Sequence, residues 1–224
     1  MYRRVDHFFV HSTYDIRLSS ELYHLPEECF SYRPFVRDEP ATGEPNDMYL
    51  FEDKRPFIMS YGANGRDYKT FFEAVDGTDL SAIVVAREYN LEGLEVPDNV
   101  RTFCSIHLEE CDRLVRKCLF TVFTFDGSEP SCGQISMVTS FMVGKPTICT
   151  DWIGVRDYVT DGENGLLVKM KDPADLRQRI SRLVSDRQLY RKLSEGAIQW
   201  ANKNTRPEVL HERIDALVTR LTSE

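Results

Sequence analysis

The stretch Leu119–Val168, LFTVFTFDGSEPSCGQISMVTSFMVGKPTICTDWIGVRDYVTDGENGLLV, decides how the chain folds. Leu119–Phe125 is a short apolar run of aromatic and β-branched residues, which predicts one buried strand. A polar turn, Asp126-Gly127-Ser128-Glu129-Pro130, leads into Ser131-Cys132-Gly133-Gln134. Ile135, Val138, Phe141 and Met142 then recur about a helical turn apart, so a helix is expected with these residues on its apolar face. Gly144 closes that helix, and Pro146 opens a second strand that runs to Thr150. Strand, glycine-bearing turn, helix and strand make a βαβ unit, whose right-handed crossover joins parallel neighbours. The turn leaves unpaired N–H groups at a helix start, where an anion such as a phosphate is stabilised.

The same alternation continues on both sides. Upstream, strands are expected over 56–61, 81–86 and 100–103, with helices over 67–75 and 108–118. Leu108, Cys111, Leu114 and Val115 are placed on one face of the second helix. Downstream, Pro173–Val184, Asp186–Ala201 and Pro207–Thr222 show helical spacing, and the two prolines suit first turns. This pattern predicts an α/β fold, a Rossmann-like doubly wound parallel sheet covered by helices on both faces. Before it, 5–10 reads as a strand, His11–Asp15 as a turn and Ile16–Tyr23 as a short helix ended by Leu25-Pro26. The polar, proline-bearing stretch Arg37–Asn46 reads as a linker.

Composition narrows the function classes. With 42% hydrophobic and 29% charged residues the chain is a folding, globular sequence. A net charge of −8 argues against nonspecific nucleic-acid binding, although local basic groups still hold phosphates in acidic proteins. No apolar run approaches the roughly 18 residues of a membrane span. Met1–Val10 is charged and does not read as a secretory signal, so a cytoplasmic location is expected. The six cysteines form no CxxC pair, which fits reduced packing residues better than a zinc cluster; no metal site is expected.

The central stretch resembles the donor-binding core of the GT-B-type glycosyltransferases, the "group 1" class (family four-like) that uses nucleotide sugars. Gly144-Lys145-Pro146, Thr150-Asp151, Gly154-Val155-Arg156-Asp157 and Asp161-Gly162-Glu163-Asn164-Gly165-Leu166-Leu167-Val168 match that family's wording in order. The resemblance implies a GT-B C-terminal domain over 47–224, preceded by the end of an N-terminal acceptor domain and a linker over 1–46. Pro34-Phe35-Val36 stands where the family's chain crosses between domains. The rest of an acceptor domain is missing, so a piece of a longer protein is expected; an independent N-terminal decoration is the alternative.

In a doubly wound sheet, ligands collect beyond the carboxyl ends of the strands, which singles out the turns after residues 61, 86, 103, 125 and 150. By resemblance, the turn at Gly62 holds the donor diphosphate. Arg66 falls where the family has a lysine, and its guanidinium suits a phosphate; a solvated helix-start residue is the alternative. Lys69 is a further helper one turn on. The turn at Cys104 faces the nucleobase, chiefly through main chain. The family carries two carboxylates eight positions apart; here those places hold Ser131 and Thr139, neither acidic, and Glu129 is the candidate substitute and the one catalytic candidate. Cys132 lies in the same turn. The amides of Gly133 and Gln134 face the anionic donor and the Gln134 side chain a sugar hydroxyl, while a plain strand–helix turn is the ordinary alternative. Asp157 takes a family glutamate's place, and Arg156 either bridges it, approaches phosphate or makes a surface ion pair.

The resemblance therefore implies transfer, with retention, from a nucleotide diphosphate sugar to a glycan, lipid or small-molecule hydroxyl. No cofactor and no metal take part, and peripheral membrane contact runs through the missing domain. Two rivals stay open: a partner subunit that binds nucleotide sugar without catalysis, favoured by the absent carboxylates, and a flavodoxin-like or epimerase-type protein, which a different strand order would reveal.

Overall fold

The computed structural model describes residues 5–223. Six parallel strands form the main sheet: β3 (Phe57–Tyr61), β4 (Ser81–Ala86), β5 (Val100–Cys104), β6 (Thr121–Phe123), β7 (Thr147–Thr150) and β8 (Gly165–Val168). Their order across the sheet is β5-β4-β3-β6-β7-β8. The chain thus winds outward from β3 to one edge, returns to β6, and winds to the other edge, as two Rossmann halves do. A flavodoxin-like order differs from this one, so the flavodoxin-like form of that rival falls.

Period-two alternation sorts the side chains onto two faces. Phe57, Met59 and Tyr61 of β3, with Ile83, Phe123 and Cys149, enter one core against α4 (Leu108–Lys117), α5 (Gln134–Met142) and α7 (Arg187–Asn204). Ile58, Ala82, Val84, Val122 and Ile148 enter the other core against α2 (Tyr68–Val75) and α6 (Pro173–Ser185). Both faces are apolar because helices cover both, which is why these strands read as continuous hydrophobic runs. A short helix, α3 (Glu88–Leu91), follows β4, and α8 (Pro207–Thr222) ends the chain; patterning identified the second but not the first.

Sequence and structure differ at two helix faces. Leu108 and Ile135 are exposed, while Cys111, Leu114, Val115, Val138 and Phe141 are buried as expected. Both exceptions stand in the first turn of their helices.

The N-terminal segment is a smaller unit of its own. β1 (Phe8–Val10) pairs in parallel with β2 (Phe30–Tyr32), joined by α1 (Thr13–Tyr23). Patterning marked a longer strand over 5–10 and no strand over 30–32. It also read His11–Asp15 as a turn, whereas Ser12 caps α1 by accepting from the Asp15 amide, so 13–15 are its first helical residues. The unit is tied to the main domain at buried Tyr158, whose hydroxyl donates to the His11 carbonyl at 2.8 Å and accepts from the Phe35 amide at 3.2 Å. The Asp157 carboxylate accepts from the Thr13 amide at 2.7 Å. The stretch read as a linker is irregular and strapped to α4: Arg37 pairs with Asp112, Arg116 donates to the Ala41 and Pro40 carbonyls, and Lys117 meets Glu44.

Candidate functional site

A doubly wound sheet opens a crevice where the strand order reverses, here between β3 and β6. At their carboxyl ends lies a cavity of about 420 Å³ whose wall includes Gly62, Arg66, Ser131, Cys132, Gly133 and Gln134. Residues 66 and 131–134, placed on one rim by sequence reasoning, therefore meet in one cavity.

Two loops deliver them. After β3 the turn residue Arg66 bridges Phe125 at the end of β6, with the Asp67 amide donating to the Thr124 carbonyl at 2.9 Å and the Asp126 amide to the Gly65 carbonyl at 3.0 Å. This pairing turns the Arg66 side chain under the start of α5. It is 8% exposed, and its Nε and Nη2 donate to the Tyr61 carbonyl at 3.1 and 3.0 Å. The guanidinium carbon lies 4.8 Å from the Phe125 ring centroid and 5.2 Å from that of Phe123. Among the described residues no carboxylate pairs with it, and Nη1 has no hydrogen-bond partner.

Glycine is required on both sides of that side chain. Gly62 sits at φ +119°, and a Cβ there would stand 2.4 Å from Arg66 Nη2. Gly133 sits at φ +80°, where a Cβ would stand 2.5 Å from the Phe125 ring and 2.9 Å from Arg66 Nη1. Positive φ and absence of a side chain thus serve one purpose, letting two loops close over a guanidinium.

Gly133 is the N-cap of α5 and supplies no side-chain cap, in contrast to Ser12 of α1, Asp67 of α2, Asp172 of α6 and Asp186 of α7. The first amides of α5 lack intrahelical acceptors and carry the positive end of the helix dipole. Gln134, 4% exposed, adds a buried Nε2 with no partner. One wall is thus built of donors: Arg66 Nη1, Gln134 Nε2 and the free helix amides. Cys132 lies beside them, and burial pushes its thiol up to about 11 against the pull of Arg66, so it remains a neutral thiol at physiological pH.

The opposite wall comes from the N-terminal unit and was missed by sequence reasoning. His11, Asp15 and Phe35 face the same cavity. His11 stacks on Phe35 with ring centroids 3.7 Å apart, and its Nδ1 lies 2.9 Å from the Arg33 carbonyl. A carbonyl only accepts, so Nδ1 carries the hydrogen. Ser131 donates to the Asp15 carboxylate at 2.7 and 2.8 Å and lies 3.0 Å from Ser12 Oγ. The strand-end rule itself contained the clue: applied to the strand ending at Val10, it selects His11 to Asp15.

Five predicted site residues lie outside this wall. Lys69 is exposed on α2, 3.9 Å from Glu73, and lines another cleft. The Glu129 side chain is exposed, while its carbonyl accepts from the Trp152 indole at 2.9 Å and from the Cys132 thiol at 3.5 Å. Arg156 pairs with Asp151 at 2.8 Å, not with Asp157, whose carboxylate is taken up by Thr13. Thr139 is buried and has no cavity face: it accepts from Arg37 Nη1 at 2.6 Å and donates to the Ile135 carbonyl. Arg37 there makes two bonds to Asp112, at 2.9 and 2.7 Å, so the place of the second family carboxylate is filled by an internal ion pair. Cys104 is exposed at the end of β5, farther along the same rim, beside Ser105, which accepts from Arg87 at 3.0 Å. Among the described residues no group of three His, Cys, Asp or Glu side chains is arranged to hold a metal ion.

Known proteins are similar to this chain in sequence and in fold. An uncharacterised glycosyltransferase of Methanocaldococcus jannaschii is 30% identical over 95 residues, which is 42% of this chain and 26% of that protein. A solved structure of HepE from Anabaena in complex with UDP and glucose superposes with a TM-score of 0.76 at 15% identity, over 96% of this chain and 63% of that one. The C-terminal domain of a glycosyl transferase group 1 protein from Francisella tularensis superposes with a TM-score of 0.57 at 15% identity, over 74% of this chain and 95% of that domain. The chain thus spans about a quarter of the curated relative and under two thirds of HepE. The model of the family described as glycosyl transferases group 1 matches residues 86–200, half of the sequence, and with the β3–β6 crevice and its glycine-lined turns this chain belongs to that family.

Proposed function

We propose that the cavity binds the diphosphate of a nucleotide sugar, and that this chain is the donor-binding part of a glycosyltransferase acting on an acceptor hydroxyl. The observation that carries the reading is Arg66: a guanidinium nine-tenths buried, without a counter-ion, one nitrogen unpartnered beside an uncapped helix start. A buried cation in that state is stabilised by an anionic ligand. Gln134 and the α5 amides add preorganised donors, so negative charge growing on a departing diphosphate meets groups already in place. Residues 1–46 are read as the end of an acceptor domain and 47–224 as the donor domain, in keeping with the separate β1–β2 sheet. HepE was solved with UDP and glucose, which supports a nucleoside lying along the rim toward Cys104. Retention of configuration is carried over from the family resemblance. Six free cysteines and the lack, among the described residues, of a helix apolar enough to cross a membrane favour a cytoplasmic setting.

Isothermal titration of the chain with UDP, GDP and ADP tests this, and failure of all three to bind ends the reading. A second reading, a nucleotide-sugar-binding partner without catalysis, is favoured by Thr139 being consumed by Arg37 and by Glu129 lying outside the wall. Radiolabelled sugar transfer or hydrolysis by the full-length gene product separates the two: turnover there removes the second reading, and tight binding without turnover there removes the first.

A further inference from the structure

The donor wall of the cavity explains an anion but not the wall opposite. We infer that Asp15, carried in by the N-terminal unit, reads the hydroxyls of the sugar ring, so that the two units together recognise the sugar; this rests on the donor reading above. Asp15 lines the cavity from the first turn of α1, and its carboxylate is fixed rather than free. Ser131, at the mouth of the α5 turn, donates to both of its oxygens. A carboxylate offers about four acceptor positions, so this engagement leaves others open to the cavity. Ser12, the α1 cap, touches Ser131 from the other side and sets where the carboxylate can sit. α1 is itself pinned to the main domain, since Asp157 accepts from the Thr13 amide and Tyr158 holds His11 and Phe35.

The chemistry of the two walls differs in kind. The Arg66 guanidinium and the helix amides only donate, and Gln134 adds its unpartnered Nε2, which suits phosphate oxygens; the Asp15 carboxylate only accepts, which suits hydroxyl hydrogens. A nucleotide sugar is the ligand that carries both, an anionic diphosphate joined to a ring of hydroxyl donors. A nucleoside diphosphate alone would leave Asp15 facing water or phosphate across the cavity. Sequence position 131, where no carboxylate stands, is thereby supplied with one from 116 positions earlier in the chain.

The test is titration of the whole chain with whichever of UDP, GDP and ADP binds most tightly, and with the glucose conjugate of that nucleotide. Asp15→Asn keeps an oxygen for Ser131 and removes the charge, so the fold is retained. It is expected to weaken the nucleotide sugar by about tenfold or more while leaving the nucleotide within about twofold, the scale of one charged hydrogen bond. Asp157→Asn is the control for a purely structural tie: it loosens α1, lowers the melting temperature and leaves the ratio of the two affinities unchanged. If Asp15→Asn leaves the nucleotide sugar as tightly bound as in the wild type, the inference is overturned and the donor reading stands. Equal weakening of both ligands by Asp15→Asn makes Asp15 a tie between the units and overturns it too. If the wild type binds no nucleotide, the donor reading falls and takes this inference with it.

Discussion

Two arginines reach α5, Arg37 partly buried beside Thr139 and Arg66 buried beside Ser136, and they are in opposite states. Arg37 is fully engaged: Asp112 takes its two terminal nitrogens, Thr139 shares one of them, and the pair's side chains are 16% and 4% exposed. Arg66 lies deeper, yet it has only carbonyl and hydroxyl partners and one nitrogen with none. A charge that the protein has neutralised belongs to the architecture; one that it has desolvated and left unneutralised is stabilised by something from outside. The contrast separates the strap from the site, although both arginines are equally basic and equally unremarkable in the sequence.

The contrast breaks if the two arginines respond alike to loss of their surroundings. The largest effect is expected from Asp112→Ala, which strands the Arg37 charge: chemical denaturation should show a loss of about 3 kcal/mol, with nucleotide affinity of the folded protein unchanged. Arg66→Met should do the reverse. Nucleotide affinity falls about a hundredfold by titration, as loss of a charge-assisted contact to phosphate requires, while the melting temperature in calorimetry holds or rises because a desolvated charge has been removed. Loss of stability in Arg66→Met as large as in Asp112→Ala would erase the distinction.

Gly133→Ala should cost about 2 kcal/mol in denaturant unfolding, through positive φ and a Cβ driven into the Phe125 ring, and should weaken nucleotide binding by displacing Arg66. The smallest effect sharpens the comparison most directly. Burial raises the Cys132 thiol to about 11, while the Arg66 charge pulls it down. Below that pH the thiol is neutral, so iodoacetamide labelling followed by mass spectrometry should find Cys132 protected at pH 8 and increasingly reactive toward pH 11. In Arg66→Met the inflection should move further up, because the cation that favoured the thiolate is gone. An inflection that stays put would mean the Arg66 charge is already compensated.

Much of the fold was legible along the chain. Strand β4 was marked over 81–86, residue for residue, and α8 over Pro207–Thr222, because a run apolar on both faces and a proline-initiated amphipathic helix are local patterns. β1 and β2 were poorly read: three-residue strands carry almost no periodicity, and they are held by Phe8 stacking on Phe30 at 5.3 Å, a contact between distant residues. In the site, Gly62, Arg66 and 131–134 were singled out by the strand-end rule together with the family resemblance, and they line one cavity. Lys69 and Glu129 were not separated from them, because the direction of a side chain leaving an irregular turn is set by tertiary contacts and not by spacing.

The sequence alone determined a parallel doubly wound sheet, its glycine turns and the helix start that would receive an anion, because these depend on neighbours a few residues apart. Only the tertiary structure decided that Thr139 is spoken for by Arg37 and that Asp15 stands against Ser131. Those contacts join residues about a hundred positions apart, across two sheets, and no spacing along a chain encodes such a meeting.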